Sequence, residues 1–436
     1  MAFRDMRRIT ERKVETRVGK VLKNREEAKL AAQMDFAIRD FFSDYVVHSD
    51  IAVLNMRFIK ELHASHGHGP SNCFQEALKA TALKSKVNKE GGEELTVMAD
   101  EAYGRALNLL TKALQNSTEC VQDPALGAAC LIGLCEFISG STPEGSNILT
   151  ATHHHRGRVS LLQLRGTGQF HSPVGKCLFG FLVAMITLKC IIFRQWPPKM
   201  ENEWLVLCGI KQPTLEIEKI SFRTAEFCFD AHVLFDSATH DRAWEASLFN
   251  LVQVANDIDI DYQRWIDKYS QSDSWGYRTC SSPLGSTSLD YNVHTYQDLW
   301  VGGIWLSCFC KRAHLHQVLL RCLSLLESVS PTRERPLEMD HCKATMRNMA
   351  SSICASVPFM LGIVDSEGAL IRQPERNALG GYLLIYPLHV ARWSVEQGSM
   401  KDVWIVSVQN AISTQMGIRS AAKIAAKTRD VQWKLF

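Results

Sequence analysis

Apolar positions along this chain recur at helical spacing, and no alternating period-two run is long enough to predict a sheet. Tyr103, Ala106, Leu107, Leu110, Ala113 and Leu114 fall on one face of a helix. Asp123-Pro124 reads as a helix start: a side-chain acceptor at the cap, then a proline whose missing N–H costs nothing there. The following Ala125 to Ile138 is apolar almost all round, which predicts a central helix. Ser172-Pro173 repeats the start signal before Val174 to Arg194, and Pro197-Pro198 closes that element. Leu215 to Phe235 and Arg242 to Ala255 read as amphipathic helices, and Leu299 to Glu327 as a long one. Ser139 to Ser146 and Ser270 to Ser288 are rich in Ser, Gly and Thr and are expected to be loops. No repeat of fixed period is present. The pattern predicts an all-α fold, a large multi-helix bundle or stack over 36–436, preceded by a basic amino-terminal segment over 1–35.

Composition changes this picture little. With 436 residues, 46% of them hydrophobic, the chain can bury a large core. Lys and Arg number 49 against 46 Asp and Glu, so the net charge of +3 selects no class of partner. The 14 cysteines, from Cys73 to Cys354, mostly sit in apolar stretches, as Cys130, Cys135, Cys190 and Cys228 do. They read as reduced thiols used as small core hydrophobes. Met1 to Leu30 is polar and basic, without the apolar run of a secretory signal. The apolar run Leu178 to Phe193 is interrupted by Lys189 and is shorter than the roughly 20 residues of a membrane span. A buried helix is expected, and no membrane partner.

Charge is concentrated at the start, where Arg4, Arg7, Arg8, Arg12, Lys13, Arg17, Lys20, Lys23, Arg25 and Lys29 stand among five acidic residues. Such a strip suits a solvated helix or tail, or an arm that touches phosphates weakly. The familiar chemical motifs fail. Gly175-Lys176 lacks the earlier glycine of a phosphate loop, because Phe170 stands there, and Cys177 replaces the magnesium-binding hydroxyl. Gly166-Thr167-Gly168 has His171 where a dinucleotide fingerprint needs its third glycine. Asp257, Asp259 and Asp261 open like a calcium loop, but Tyr262 and Lys268 occupy the glycine and glutamate positions. They read as a solvated acidic strip near a helix end. His153, His154 and His155 are consecutive and cannot all face one ion from a helix. Cys308, Cys310, His314, His316 and Cys322 are richer: Cys310 and His314 share a face and would suit two zinc ligands. Val301, Ile304, Trp305, Leu315 and Leu319 surround them with core spacing, which favours a buried helix. No catalytic, cofactor or metal residues are assigned, and no enzyme is expected.

Several phrases, in order, resemble one family. Tyr103-Gly104-Arg105-Ala106-Leu107 is followed by the Asp123 start, by His155-Arg156-Gly157, and by Leu161-Leu162-Gln163-Leu164-Arg165-Gly166. Gly175 and Leu178-Phe179 continue the series, then Tyr296-Gln297-Asp298-Leu299-Trp300 with Trp305 and Arg312. Ser352 to Gly362 and Gly381 to Val390 follow, and Met416-Gly417-Ile418-Arg419 with Ala421 ends it. Over roughly 95 to 425 the chain resembles the regulatory domain of fungal-specific transcription factors, whose amino terminus carries a binuclear zinc cluster. The resemblance implies one large helical domain, a nuclear location, control of transcription, and often a secondary-metabolite gene cluster. It departs from the family where the zinc cluster belongs: the first cysteine is Cys73 and no Cys-x-x-Cys occurs. Direct, sequence-specific DNA binding is therefore not implied.

The residues themselves add a candidate effector or partner region. Arg156, Arg158 and Arg165 flank a helix whose Val159, Leu162 and Gln163 share a face; they suit buried carboxylate pairs or an acidic effector. Trp300 and Trp305 read as core, with a ligand platform as the alternative. Pro358 and Pro387 are expected to kink or start helices. Three functions follow as expectations. The first is a regulator or co-regulator that pairs with a zinc-cluster transcription factor or with itself, or that binds a small-molecule effector. The second is a gene model whose zinc cluster lies upstream of Met1. The third is a biosynthetic enzyme on the same scaffold, with acid–base groups at His153 to His155 or at Asp298 with His294.

Overall fold

A computed structural model describes residues 25, 28–49, 55–66, 72–140, 152–198, 202–210, 212–237, 241–283, 292–372 and 377–426. Most of the basic segment lies outside them, as do 141–146 of the first expected loop and 284–288 of the second. The first described helix, α1 (28–45), runs through position 35. After it come α2 (Arg57–His66), α3 (Cys73–Glu90), α4 (Glu93–Gln115) and α5 (Asp123–Ser139). The middle of the chain forms α6 (Thr152–Arg165), α7 (Pro173–Phe193), α8 (Asn202–Leu207), α9 (Gln212–Phe235) and α10 (Arg242–Tyr269). A short hairpin, β1 (Tyr277–Ser281) and β2 (Asn292–Tyr296), precedes α11 (Leu299–Val329), α12 (Arg335–Met360), α13 (Ala378–Ala391), α14 (Met400–Gln415) and α15 (Ser420–Ala425). The fold is all-α, a stack of helices sharing one continuous core.

Neighbours in sequence are neighbours in space: α3 packs on α4 and α5, α9 on α10, α10 on α11, and α11 on α12 and α13. The stack then closes on itself, because α14 returns to α3 and α15 to α5. The closure is held by backbone and side-chain polar groups. Arg419 N donates to Ile138 O at 2.9 Å, Ser420 Oγ donates to Phe137 O, and Asn88 Nδ2 donates to both Ile138 O and Gly417 O.

Several expectations are corrected in detail. Helix α5 begins at Asp123 with Pro124 in its first turn, but its cap is Gln122 and no side chain caps it. Ser172 does cap α7, with Oγ accepting from Gly175 N at 2.8 Å. The buried stripe of α4 is Ala99, Ala102, Ala106, Leu110 and Ala113, whereas Leu107 and Leu114 face solvent. Helix α10 continues well past Ala255, so Asp257, Asp259 and Asp261 lie within it and not near its end. The hairpin occupies part of the expected 270–288 loop: Tyr277 pairs with Tyr296 and Ser281 with Asn292, antiparallel. Pro358 lies in the last turn of α12, and Pro387 lies inside α13.

Helix α7 has 21 residues, so it is long and apolar enough to cross a membrane by length and composition. Its length therefore does not separate a core helix from a span. Its surroundings describe a core helix, since α2, α5, α6, α9 and α11 all pack on it.

Candidate effector site

The inward face of α6 is formed by His155, Arg158, Leu162 and Arg165, spaced three, four and three residues apart as one helical face requires. Val159 is half-buried and Gln163 exposed, so the expected face is rotated. Two of the three expected arginines lie on this face, and Arg156 is exposed. Arg165 pairs with a carboxylate. Its Nη2 donates to Asp123 Oδ1, and Ser172 Oγ donates to Asp123 Oδ2 at 3.1 Å. Arg158 does not follow suit. It is 4% exposed, and among the described residues its guanidinium makes no hydrogen bond or ion pair.

Arg158 lies against α5. A Cβ on Gly133 would stand 2.8 Å from Arg158 Nη1, so the missing side chain is what admits the guanidinium. Lys189 of α7 is partly buried beside it. Burial and then the Arg158 charge push the Lys189 ammonium down to about 7. His155, packed edge-on to Phe193 at 6.3 Å, is pushed down to about 3, first by burial and then by Lys189, Arg158 and Arg156, so it is neutral at pH 7. On α5, Cys130 is buried and its thiol is pushed up to about 11 by burial, against the lowering fields of Arg158, Arg165 and Lys189. Glu136 is the acidic neighbour on α5. Its Oε1 accepts from Tyr103 OH at 2.6 Å, and its charge favours the Lys189 ammonium. Tyr382 of α13, edge-on to Phe137 at 5.5 Å, lies within the Arg158 field.

The expected tryptophans sit elsewhere. Trp300 is buried and donates Nε1 to Val47 O at 3.0 Å; Trp305 is buried and donates Nε1 to Trp275 O at 2.6 Å. Trp305 also packs on Trp265, with ring centroids 4.7 Å apart. Among the described residues, neither shares a hydrogen-bond or ring partner with Arg158 or Arg165, so arginines and tryptophans do not form one site. Lys189 and Gly133 escaped the sequence reading as site residues. Lys189 left a signal, as the cation that interrupts the apolar run of α7.

The remaining candidates resolve into core contacts. Cys308, Cys310 and Cys322 are buried. On the same helix, His314 Nε2 pairs with Tyr386 OH, while His316 Nε2 lies 2.8 Å from Asp259 Oδ1. Arg312 grips Asp259 with Nε at 2.7 Å and Nη2 at 3.1 Å. Asp259 is thus a buried-side pivot between α10 and α11, which corrects the solvated-strip expectation. Asp298 caps α11, accepting from Trp300 N at 2.8 Å, Val301 N at 2.9 Å and Ser49 Oγ at 2.6 Å. It makes no hydrogen bond to His294, which burial pushes down to about 4. The side chains of His153 and His154 lie outside the described residues.

The chain is 23% identical over 382 residues to a protein of Emericella nidulans named transcription factor dbaG, covering 82% of this chain and 83% of that one. No family model matches the chain, and no solved structure matches it. The similarity covers 82% of this chain and supports kinship with a fungal transcription factor.

Proposed function

We propose that this protein regulates transcription in the nucleus, as the helical effector half of a fungal zinc-cluster type of regulator, and that it reaches DNA through a protein partner. The observation that carries this reading is the similarity to a protein named transcription factor over 82% of the chain. The partner is a zinc-cluster transcription factor or a second copy of the chain, with the basic residues Arg4 to Lys29 adding weak phosphate contacts. Exposed apolar side chains on α12 (Leu337) and α14 (Met400, Val403) offer contact surface. Its genes, by resemblance, belong to a secondary-metabolite cluster. Asp298 caps α11 and makes no hydrogen bond to His294, so the acid–base pair considered at these two positions is not formed.

Chromatin immunoprecipitation of the tagged protein, with and without candidate zinc-cluster partners, tests this. Occupancy that disappears with the partner is the expected result. Occupancy that persists assigns DNA contact to the chain itself, and a protein confined to the cytosol defeats the reading.

A further inference from the structure

Buried charges in proteins are paired, because an unpaired ion in a low-dielectric interior is strongly destabilising. The layer of α5, α6 and α7 breaks this rule. Arg158, Arg165 and Lys189 all lie within electrostatic reach of the Cys130 thiol. Arg158 and Lys189 have no hydrogen bond or ion pair among the described residues. Arg165 gives Nη2 to Asp123, yet its Nε and Nη1 are buried without a partner. Two carboxylates, Asp123 and Glu136, stand against the three cations, and each is already engaged, by Arg165 and Ser172 and by Tyr103. Among the described residues, the cations therefore outnumber the carboxylates while Lys189 is protonated, and the Arg158 donors are unused.

We propose that this cluster is a binding site for the carboxylate of a monoanionic organic acid, held by Arg158 and Lys189 with Arg165 completing the positive field. A planar guanidinium presents paired donors that match a carboxylate. The glycine at 133 belongs to the site, since any side chain there would displace Arg158. Two ring pairs, Tyr382 with Phe137 and His155 with Phe193, whose Tyr382 and His155 lie within the Arg158 field, would supply apolar surface for the organic frame of the acid. A bare inorganic anion would leave those rings unused. The site is defined by its own residues, whatever partner the chain contacts in the nucleus.

Lys189 gives binding a characteristic pH dependence. The groups facing it are Cys130 and Glu136 on α5 and Arg158 with neutral His155 on α6. A bound anion requires the ammonium form, which the empty site half loses near pH 7. Affinity is therefore expected to fall about tenfold between pH 6 and pH 8.

Benzoate serves as the probe in calorimetric titration and thermal melting of the full chain, with benzamide as its neutral counterpart and inorganic phosphate as the ionic one. Benzoate is expected to bind and raise Tm, more at pH 6 than at pH 8, and benzamide and phosphate are not. Lys189→Met is expected to abolish binding, and Gly133→Ala to weaken it at least tenfold. Arg158→Met is expected to abolish binding while raising the Tm of the ligand-free protein, because it removes an unpaired buried charge. An arginine that only braces the fold would lower that Tm. A lowered Tm, equal binding of benzamide, preference for phosphate, or no response to benzoate at either pH overturns the proposal.

Discussion

Arg165, the last residue of α6, and Asp123, the first residue of α5, are joined through Nη2 and Oδ1, and the capping Ser172 of α7 donates to the same carboxylate. One side chain therefore fixes three helix ends. The carboxylate also stands in the first turn of α5, where the helix dipole favours negative charge. Asp123→Ala strands a guanidinium that is 4% exposed. It is expected to cost about 3–5 kcal/mol. Urea denaturation checks it, and adding Arg165→Met to Asp123→Ala should restore most of the loss. If the double variant is no more stable than Asp123→Ala, the pair does not carry the contact between these helices.

The Asp259 carboxyl gives a pH signature. Burial works to raise it, but hydrogen bonds and charge from His316 and Arg312 outweigh burial and hold it well below the usual carboxylate range. A carboxyl lower in the folded than in the unfolded state stabilises the fold above its unfolded value of 3.8. That contribution disappears as pH falls through the folded value. Asp259→Asn is expected to flatten the acid limb of the stability profile below pH 4, and to cost about 3 kcal/mol at pH 7 by stranding Arg312. Denaturation midpoints between pH 3 and pH 8 measure both effects. An unchanged acid limb removes Asp259 from the account.

These two carboxylates also show what sequence could and could not display. The start at Asp123-Pro124 was legible, because helix starts are local. The assignment of its carboxylate was not, since Arg165 comes from another helix and takes the oxygen that a cap would have used. Asp257, Asp259 and Asp261 look like one strip, yet residues two apart on a helix point nearly opposite ways. Asp259 therefore turns towards α11 while Asp257 stays in solvent. The hairpin left no alternating signal, because Val293, His294, Thr295 and Tyr296 are all buried, on both faces of β2. At the candidate site, the spacing of Arg158 and Arg165 was visible, but the vacancy of one and the pairing of the other depend on α5 and α7. The hydrophobic pattern supplied the fold class and the resemblance the order of blocks, and no single block reveals those contacts.

Glycines separate close approach from simple helix content. A Cβ at Gly380 would overlap the Met360 carbonyl oxygen where α13 meets the end of α12, whereas a Cβ at Gly104 on α4 meets nothing within 4 Å. Gly380→Ala is expected to destabilise by roughly 3 kcal/mol or more, through forced displacement of α12. Gly104→Ala is expected to stabilise by up to about 1 kcal/mol, since alanine loses less entropy in a helix. Paired denaturation curves check both, and equal effects would contradict the packing of α12 on α13.

Thiol reactivity reports on the whole stack. Of the 14 cysteines, 13 are buried, and Cys280 on β1 is the partly exposed one. Burial pushes Cys190, Cys208 and Cys308 up to about 12, which suppresses the thiolate that reacts. Cys280 Sγ lies 3.7 Å from Glu367 O at the surface. In the native protein, a thiol reagent such as Ellman's is therefore expected to label one cysteine quickly and the remainder only on unfolding. Cys280→Ser should abolish the fast phase and leave stability within about 0.5 kcal/mol, as for other surface substitutions. Several equally fast thiols in the native state would mean that the helices open locally, which the continuous core from α3 to α15 does not allow without unfolding.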